Sequence, residues 1–119
     1  MERDTVKVFV YGTLKKNKSN HWWLKEAKYV GDYYTDKNLA LYVEGLPYMV
    51  REPNGGGVLG EVYEVDRETL FALDRLEGHP SFYRREDIWV FDIEVGAEMK
   101  VQAYLYPKIP KNGVKLRSY

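Results

Sequence analysis

Val58-Leu59-Gly60-Glu61-Val62-Tyr63-Glu64-Val65 runs directly into Asp66-Arg67-Glu68-Thr69-Leu70-Phe71-Ala72-Leu73-Asp74-Arg75-Leu76-Glu77-Gly78. The first segment reads as a strand, and the second has the spacing of a helix. Asp66 is a suitable N-cap, and Gly78 followed by Pro80 supplies a stop. At about 100° per residue, Leu70, Leu73 and Glu77 fall on one side, with Leu76 widening the apolar stripe. An acid therefore stands where a purely structural helix would place another leucine.

Further strands are expected at Val6–Tyr11, Tyr29–Tyr34, Leu39–Val43 and Leu46–Val50. They mix β-branched and aromatic residues and end at glycine or proline. Pro53-Asn54-Gly55-Gly56-Gly57 is a turn and lacks the Lys-Ser/Thr ending of a phosphate loop. Tyr83–Ile93 reads as a strand bent near Asp87. Met99–Tyr106 alternates, with Met99, Val101, Ala103 and Leu105 on one face and Lys100, Gln102, Tyr104 and Tyr106 on the other. Ser19 or Asn20 can cap a short helix over His21, Trp22, Trp23 and Leu24, one tryptophan anchoring it to the core.

One long helix cannot cover an extended parallel sheet, so the expected class is α+β: a mostly antiparallel sheet with one main and one short packed helix. Closure into a small barrel would remove exposed strand edges, but periodicity does not establish it. At 119 residues, one core serves residues 1–119 as a single domain, with residues 107–119 as a peripheral tail.

Eighteen basic residues balance eighteen acidic ones, which removes the electrostatic argument for nucleic acid or an anionic membrane. No apolar run reaches the length of a membrane span. The charged start, Met1-Glu2-Arg3-Asp4, is unlike a signal peptide. The chain has no cysteine, hence no disulfide and no thiol nucleophile, and a cytoplasmic location is expected. His21 and His79 are the only histidines and show no metal-ligand spacing; no metal or cofactor is expected.

Glu77 is the candidate catalytic group. A partly enclosed glutamate serves as a general base when its proton affinity approaches working pH. The structural alternative is a last-turn acid neutralised by Arg75, Arg84 or Arg85. Tyr11-Gly12-Thr13-Leu14 is the second candidate: a strand entering a glycine turn can aim successive N–H groups at an anion, although a plain turn has the same sequence. Tyr83, Tyr104 and Tyr106 either line a polar pocket or pack on a sheet. Lys15-Lys16-Asn17-Lys18 either attracts a carboxylate or forms a solvated loop. Tyr83-Arg84-Arg85 favours internal ion pairs, since Glu86 and Asp87 follow at once.

Three separated motifs together resemble the gamma-glutamylcyclotransferase-like family, in particular its small gamma-glutamylamine cyclotransferase and avirulence-induced-like members. They are Val8-Phe9-Val10-Tyr11-Gly12-Thr13-Leu14-Lys15 with Asn20-His21, Leu73-Asp74-Arg75-Leu76-Glu77-Gly78-His79-Pro80 continuing through Tyr83 and Arg85, and Val101-Gln102-Ala103-Tyr104-Leu105-Tyr106. The resemblance implies a small mixed β-barrel with helices packed outside. It also implies a reaction in which the α-amine of a gamma-glutamyl compound attacks its own side-chain amide. The products would be 5-oxoproline and an amine or amino acid, with no metal, cofactor or covalent nucleophile. Glu77 matches the catalytic glutamate. Tyr11, Gly12, Thr13 and Leu14 match the substrate-binding turn, and Tyr83 and Tyr106 match motif positions suited to pocket polarity. The alternative is a noncatalytic small-molecule or protein-binding module on the same fold.

Overall fold

A computed structural model describes residues 4–119. The charged start thus falls partly on residues 1–3, outside the described residues. Five strands close a barrel in the order β1 (Thr5–Val10), β5 (Leu59–Asp66), β2 (Lys28–Thr35), β6 (Arg84–Asp92) and β7 (Glu98–Leu105). All neighbours are antiparallel except β1 and β7, which meet in parallel at Val8 and Gln102 and complete the closure. A second sheet has β3 (Leu39–Glu44) between β4 (Leu46–Arg51) and β8 (Val114–Leu116). The amide of Tyr106 donates to Met49 O and joins the end of β7 to β4.

The end of β1 is buried on both faces, which explains its continuous apolar run. Phe9 lies in the cluster with Val62, Ile88, Val101, Ala103 and Leu105, drawn from three other strands. Val8 and Val10 belong to the other cluster, where Tyr63 and Val65 of β5 meet Leu70 and Leu73 of α1 (Arg67–Glu77). Each fully buried leucine contributes about 1.5–3 kcal/mol relative to exposure, so this seam fixes the helix on the barrel wall. Asp66 accepts from the Thr69 amide at 2.7 Å, a side-chain N-cap. At the other end Gly78 is left-handed, with φ 69°; its amide bonds Arg75 O and the His79 amide bonds Asp74 O, a Schellman ending.

Several expectations need correction. Leu76 does not widen the buried stripe; it is 37 % exposed. The register of β6 with β7 runs unbroken through Asp87, and the irregularity lies in β2, between Tyr29 and Gly31. The short helix is a single 3-10 turn, His21–Leu24, without a side-chain cap bond from Asn20. Leu24 anchors it, while Trp22 and Trp23 are exposed. Residues 107–119 stay at the periphery and pack along it: they include β8, exposed at all three residues, and the Leu59 amide donates to Arg117 O. Among the described residues no helix is long and apolar enough to cross a membrane.

Candidate active site

A cavity of about 290 Å³ opens where the end of β1, the end of α1 and the start of β4 meet. Tyr11, Gly12, Thr13 and Leu14 form one wall, with Ser19 and Asn20 beside them. Glu77, Tyr83 and Tyr104 border the same space, and Leu46, Pro47, Leu76 and Phe82 supply apolar surface. No lysine or arginine is among these residues.

Gly12 is dictated by contact. A Cβ there would lie 2.5 Å from Pro47 Cγ, so only glycine lets the turn run against β4. The Lys15 amide donates to Gly12 O at 3.1 Å, and the Asn20 amide donates to Thr13 O at 2.8 Å. The amides of Gly12, Thr13 and Leu14 have no acceptor among the described residues. Three successive backbone donors beside a cavity are an arrangement that can hold an anion.

Glu77 ends α1 between two fixed points: the buried pair Leu70 and Leu73 sets the rotation of the helix, and Gly78 turns the chain away. Among the described residues its carboxylate has no hydrogen-bond or ion-pair partner, so the alternative of neutralisation by Arg75, Arg84 or Arg85 does not occur. Arg85 is committed elsewhere: Nε donates to Asp74 Oδ1 at 2.8 Å and Nη2 to Oδ2 at 3.1 Å. Burial without compensation pushes the Glu77 carboxyl from 4.5 up to about 7. It is thus divided between acid and base near neutral pH, as proton transfer in both directions requires.

The tyrosines hold the cavity's shape through their hydroxyls. Tyr11 Oη donates to Tyr104 O at 2.6 Å and accepts from the Met49 amide at 3.4 Å. Tyr83 Oη donates to Pro47 O at 2.7 Å, fixing the residue that confronts Gly12. Tyr104 Oη donates to Asp74 Oδ1 at 2.6 Å. Burial raises all three hydroxyls, and the Glu77 charge raises each further, so they stay protonated at neutral pH. Burial opposes ionisation of Asp74, but hydrogen bonds from Arg85 and Tyr104 outweigh it and hold this carboxyl below its usual range. Arg85 also donates to Gln102, so one network clamps α1 to β6 and β7 just before Glu77.

The structure thus brings Tyr11, Gly12, Thr13, Leu14, Glu77 and Tyr83 to one cavity and leaves Tyr106 outside it. Tyr106 stands behind the wall, its ring 4.6 Å from Tyr48, 5.2 Å from Phe82 and 6.0 Å from Tyr83. Its strand neighbour Tyr104 is the β7 residue on the cavity. The basic loop is also spent: Lys15 Nζ donates to Tyr119 O, Lys16 Nζ lies over Tyr29, and Lys18 Nζ lies over Tyr119. Pro47, Phe82 and Leu46 carried no sequence signal for the site; Gly45-Leu46-Pro47 reads as a strand boundary. Among the described residues no group of three or more His, Asp or Glu side chains is placed to hold a metal. His79 Nδ1 accepts from the Arg85 amide.

The family model described as gamma-glutamyl cyclotransferase, AIG2-like, matches residues 8–119, from the middle of β1 through β8. A Methanocaldococcus jannaschii protein named "Putative gamma-glutamylcyclotransferase" is 42% identical over 102 residues, 85% of this chain and 84% of that one. The gamma-glutamylcyclotransferase family protein YtfP of Escherichia coli K12 is 38% identical over 81 residues, covering 68% and 70% of the two chains. The crystal structure of an AIG2-like protein from Mus musculus superposes with a TM-score of 0.88 at 30% identity, covering 98% of this chain and 89% of the mouse chain. With a family model that spans both the Gly12 turn and Glu77 and a relative 42% identical over 85% of the chain, the chain belongs to the gamma-glutamyl cyclotransferase, AIG2-like family.

Proposed function

We propose that the protein is a gamma-glutamyl cyclotransferase that converts a gamma-glutamyl compound into 5-oxoproline and a free amine or amino acid. The observation that carries this reading is Glu77, a partly buried carboxylate with no partner among the described residues and a pKa near 7, on the same cavity as three open backbone donors. The substrate has an α-ammonium, an α-carboxylate and a side-chain amide. Glu77 removes a proton from the ammonium, and the freed amine attacks the γ-carbonyl carbon. A C–N bond forms, the ring closes with five members, and the carbonyl oxygen becomes an oxyanion. Glu77 then returns the proton to the original amide nitrogen, the oxyanion re-forms the carbonyl as the old C–N bond breaks, and the ring nitrogen gives up its second proton, which the departing amine carries away as its ammonium.

The N–H groups of Gly12, Thr13 and Leu14 stabilise negative charge on the substrate, either its carboxylate or the developing oxyanion. Because nucleophile and electrophile belong to one molecule, the protein acts mainly by folding the substrate and holding it folded. Well-oriented intramolecular reactions gain about 7–11 kcal/mol, which sets the upper scale of that effect. The Tyr11, Tyr83 and Tyr104 hydroxyls are bound to Tyr104 O, Pro47 O and Asp74, which assigns them to cavity shape rather than to nucleophilic attack.

The test is a panel of gamma-glutamyl amines and gamma-glutamyl amino acids incubated with the purified protein, with 5-oxoproline measured by mass spectrometry. Appearance of 5-oxoproline supports the reading and ranks the leaving groups. Binding of panel members without any product would favour the noncatalytic binding module on the same fold.

A further inference from the structure

The hydrogen bonds that hold the turn carrying the open donors all go to its oxygens. Gly12 O accepts from the Lys15 amide and Thr13 O from the Asn20 amide, and Leu14 O lies 2.9 Å from Nδ1 of His21. A carbonyl oxygen cannot donate, so Nδ1 of His21 bears the hydrogen. The Asn20 carboxamide donates to Thr13 Oγ1 at 2.9 Å, which leaves the Thr13 hydroxyl hydrogen free to serve as a further donor. Asn20 occupies the N-cap position of the 3-10 turn yet makes no cap bond there. Its side chain is turned to Thr13 instead.

We propose that Asn20 and His21 are positioning residues for the anion-binding turn; their part in catalysis rests on the cyclotransferase reading. By holding Thr13 and Leu14 from the oxygen side, they keep the N–H groups of Thr13 and Leu14 open to the anionic part of a gamma-glutamyl substrate. A short glycine turn left to itself rotates its peptide planes and satisfies its N–H groups locally. The Gly12 and Thr13 carbonyls share peptide planes with the N–H groups of Thr13 and Leu14, and the Leu14 carbonyl shares one with that of Lys15, so the planes on both sides of Leu14 are fixed and the Thr13 and Leu14 donors are aimed before substrate arrives. The clamp has its own anchorage: Leu24 is buried under the 3-10 turn, and the His21 ring lies 5.6 Å from that of Tyr63 on β5.

Three variants test this in the full chain. His21→Phe keeps a ring against Tyr63 but removes the donor; His21→Asn restores an N–H near the place of Nδ1; Asn20→Ala removes the bond to Thr13. Backbone ¹⁵N order parameters are read at Thr13, Leu14 and Lys15, with β6 and β7 as the internal reference. The wild type and His21→Asn should show values near the rigid level of about 0.85, and His21→Phe should fall below about 0.6 at Lys15, with Leu14 loosened beside it. Asn20→Ala should loosen Thr13 alone. In turnover of a gamma-glutamyl amine, His21→Phe should raise KM and lower kcat/KM about tenfold or more, with the pH at which activity is half-maximal unmoved. His21→Asn should recover most of that loss.

A His21→Phe turn as rigid as the wild type overturns the proposal, whatever the turnover. So does a His21→Asn variant as loose as His21→Phe, because ring packing would then hold the turn. Absence of 5-oxoproline from the wild type would instead retire the cyclotransferase reading, and the order parameters would still decide the clamp.

Discussion

Replacing Glu77 with glutamine should make the protein more stable at alkaline pH while removing its base. The carboxyl is raised from 4.5 to about 7 by burial. In the folded state it therefore holds a proton that the unfolded chain has already released. With native protons in excess, stability falls as pH rises from about 4.5 to 7 and is level above that. At about 1.36 kcal/mol for each tenfold change in acidity, the full cost of burying the charge is roughly 3 kcal/mol. Glutamine has nearly the same shape and carries no charge, so Glu77→Gln does not bear this cost. Thermal or urea unfolding of both proteins should show a small difference at pH 5. The variant's advantage should grow by roughly 2–3 kcal/mol by pH 8, a rise of about 10 °C in Tm for a domain of this size. Other carboxylates titrate equally in the two proteins and cancel. A difference that does not change with pH, or one that shrinks, would refute the argument that Glu77 is an uncompensated buried acid.

Other perturbations follow from the same geometry. The kcat/KM of the wild type should rise with pH and level off above about 7, since Glu77 must start deprotonated; a pH–rate profile with its acidic limb near 4.5 would contradict this. Gly12→Ala drives a methyl into Pro47 and should cost about 1–3 kcal/mol, with turnover falling more steeply than stability, as unfolding and kinetic measurements would show. Asp74→Ala leaves Arg85 and the Tyr104 hydroxyl without their acceptor; a loss of about 2 kcal/mol in urea unfolding is expected. Tyr83→Phe orphans the Pro47 carbonyl and should cost about 1 kcal/mol by the same measurement.

Local chemistry was legible from the sequence, and long-range placement was not. Asp66 and Gly78 mark the ends of α1 because capping depends on a few neighbouring residues, and both ends stand where the pattern puts them. Barrel closure rests on β1 meeting β7, which periodicity cannot register because pairing partners lie more than ninety residues apart. The alternation of Met99–Tyr106 assigns Tyr104 and Tyr106 to one face. The strand ends at Leu105, however, so the first reaches the cavity and the second packs behind Phe82. Trp22 and Trp23 look like anchors by size, yet a four-residue turn buries only one side chain fully, and Leu24 takes that place. β8 is exposed at all three residues and therefore has no hydrophobic signature. At the site, Glu77 and the Gly12 turn could be named from residue types and motif. Pro47, which shapes the cavity against Gly12, enters only through the fold.

The most direct measurement is a product balance: 5-oxoproline, glutamate and released amine quantified together for the wild type and a folded Glu77→Gln variant acting on one gamma-glutamyl amine. The account predicts equal amounts of 5-oxoproline and amine from the wild type, no glutamate, and a loss of about a hundredfold or more in the variant. Glutamate as the product, or full activity without the Glu77 carboxylate, would contradict it.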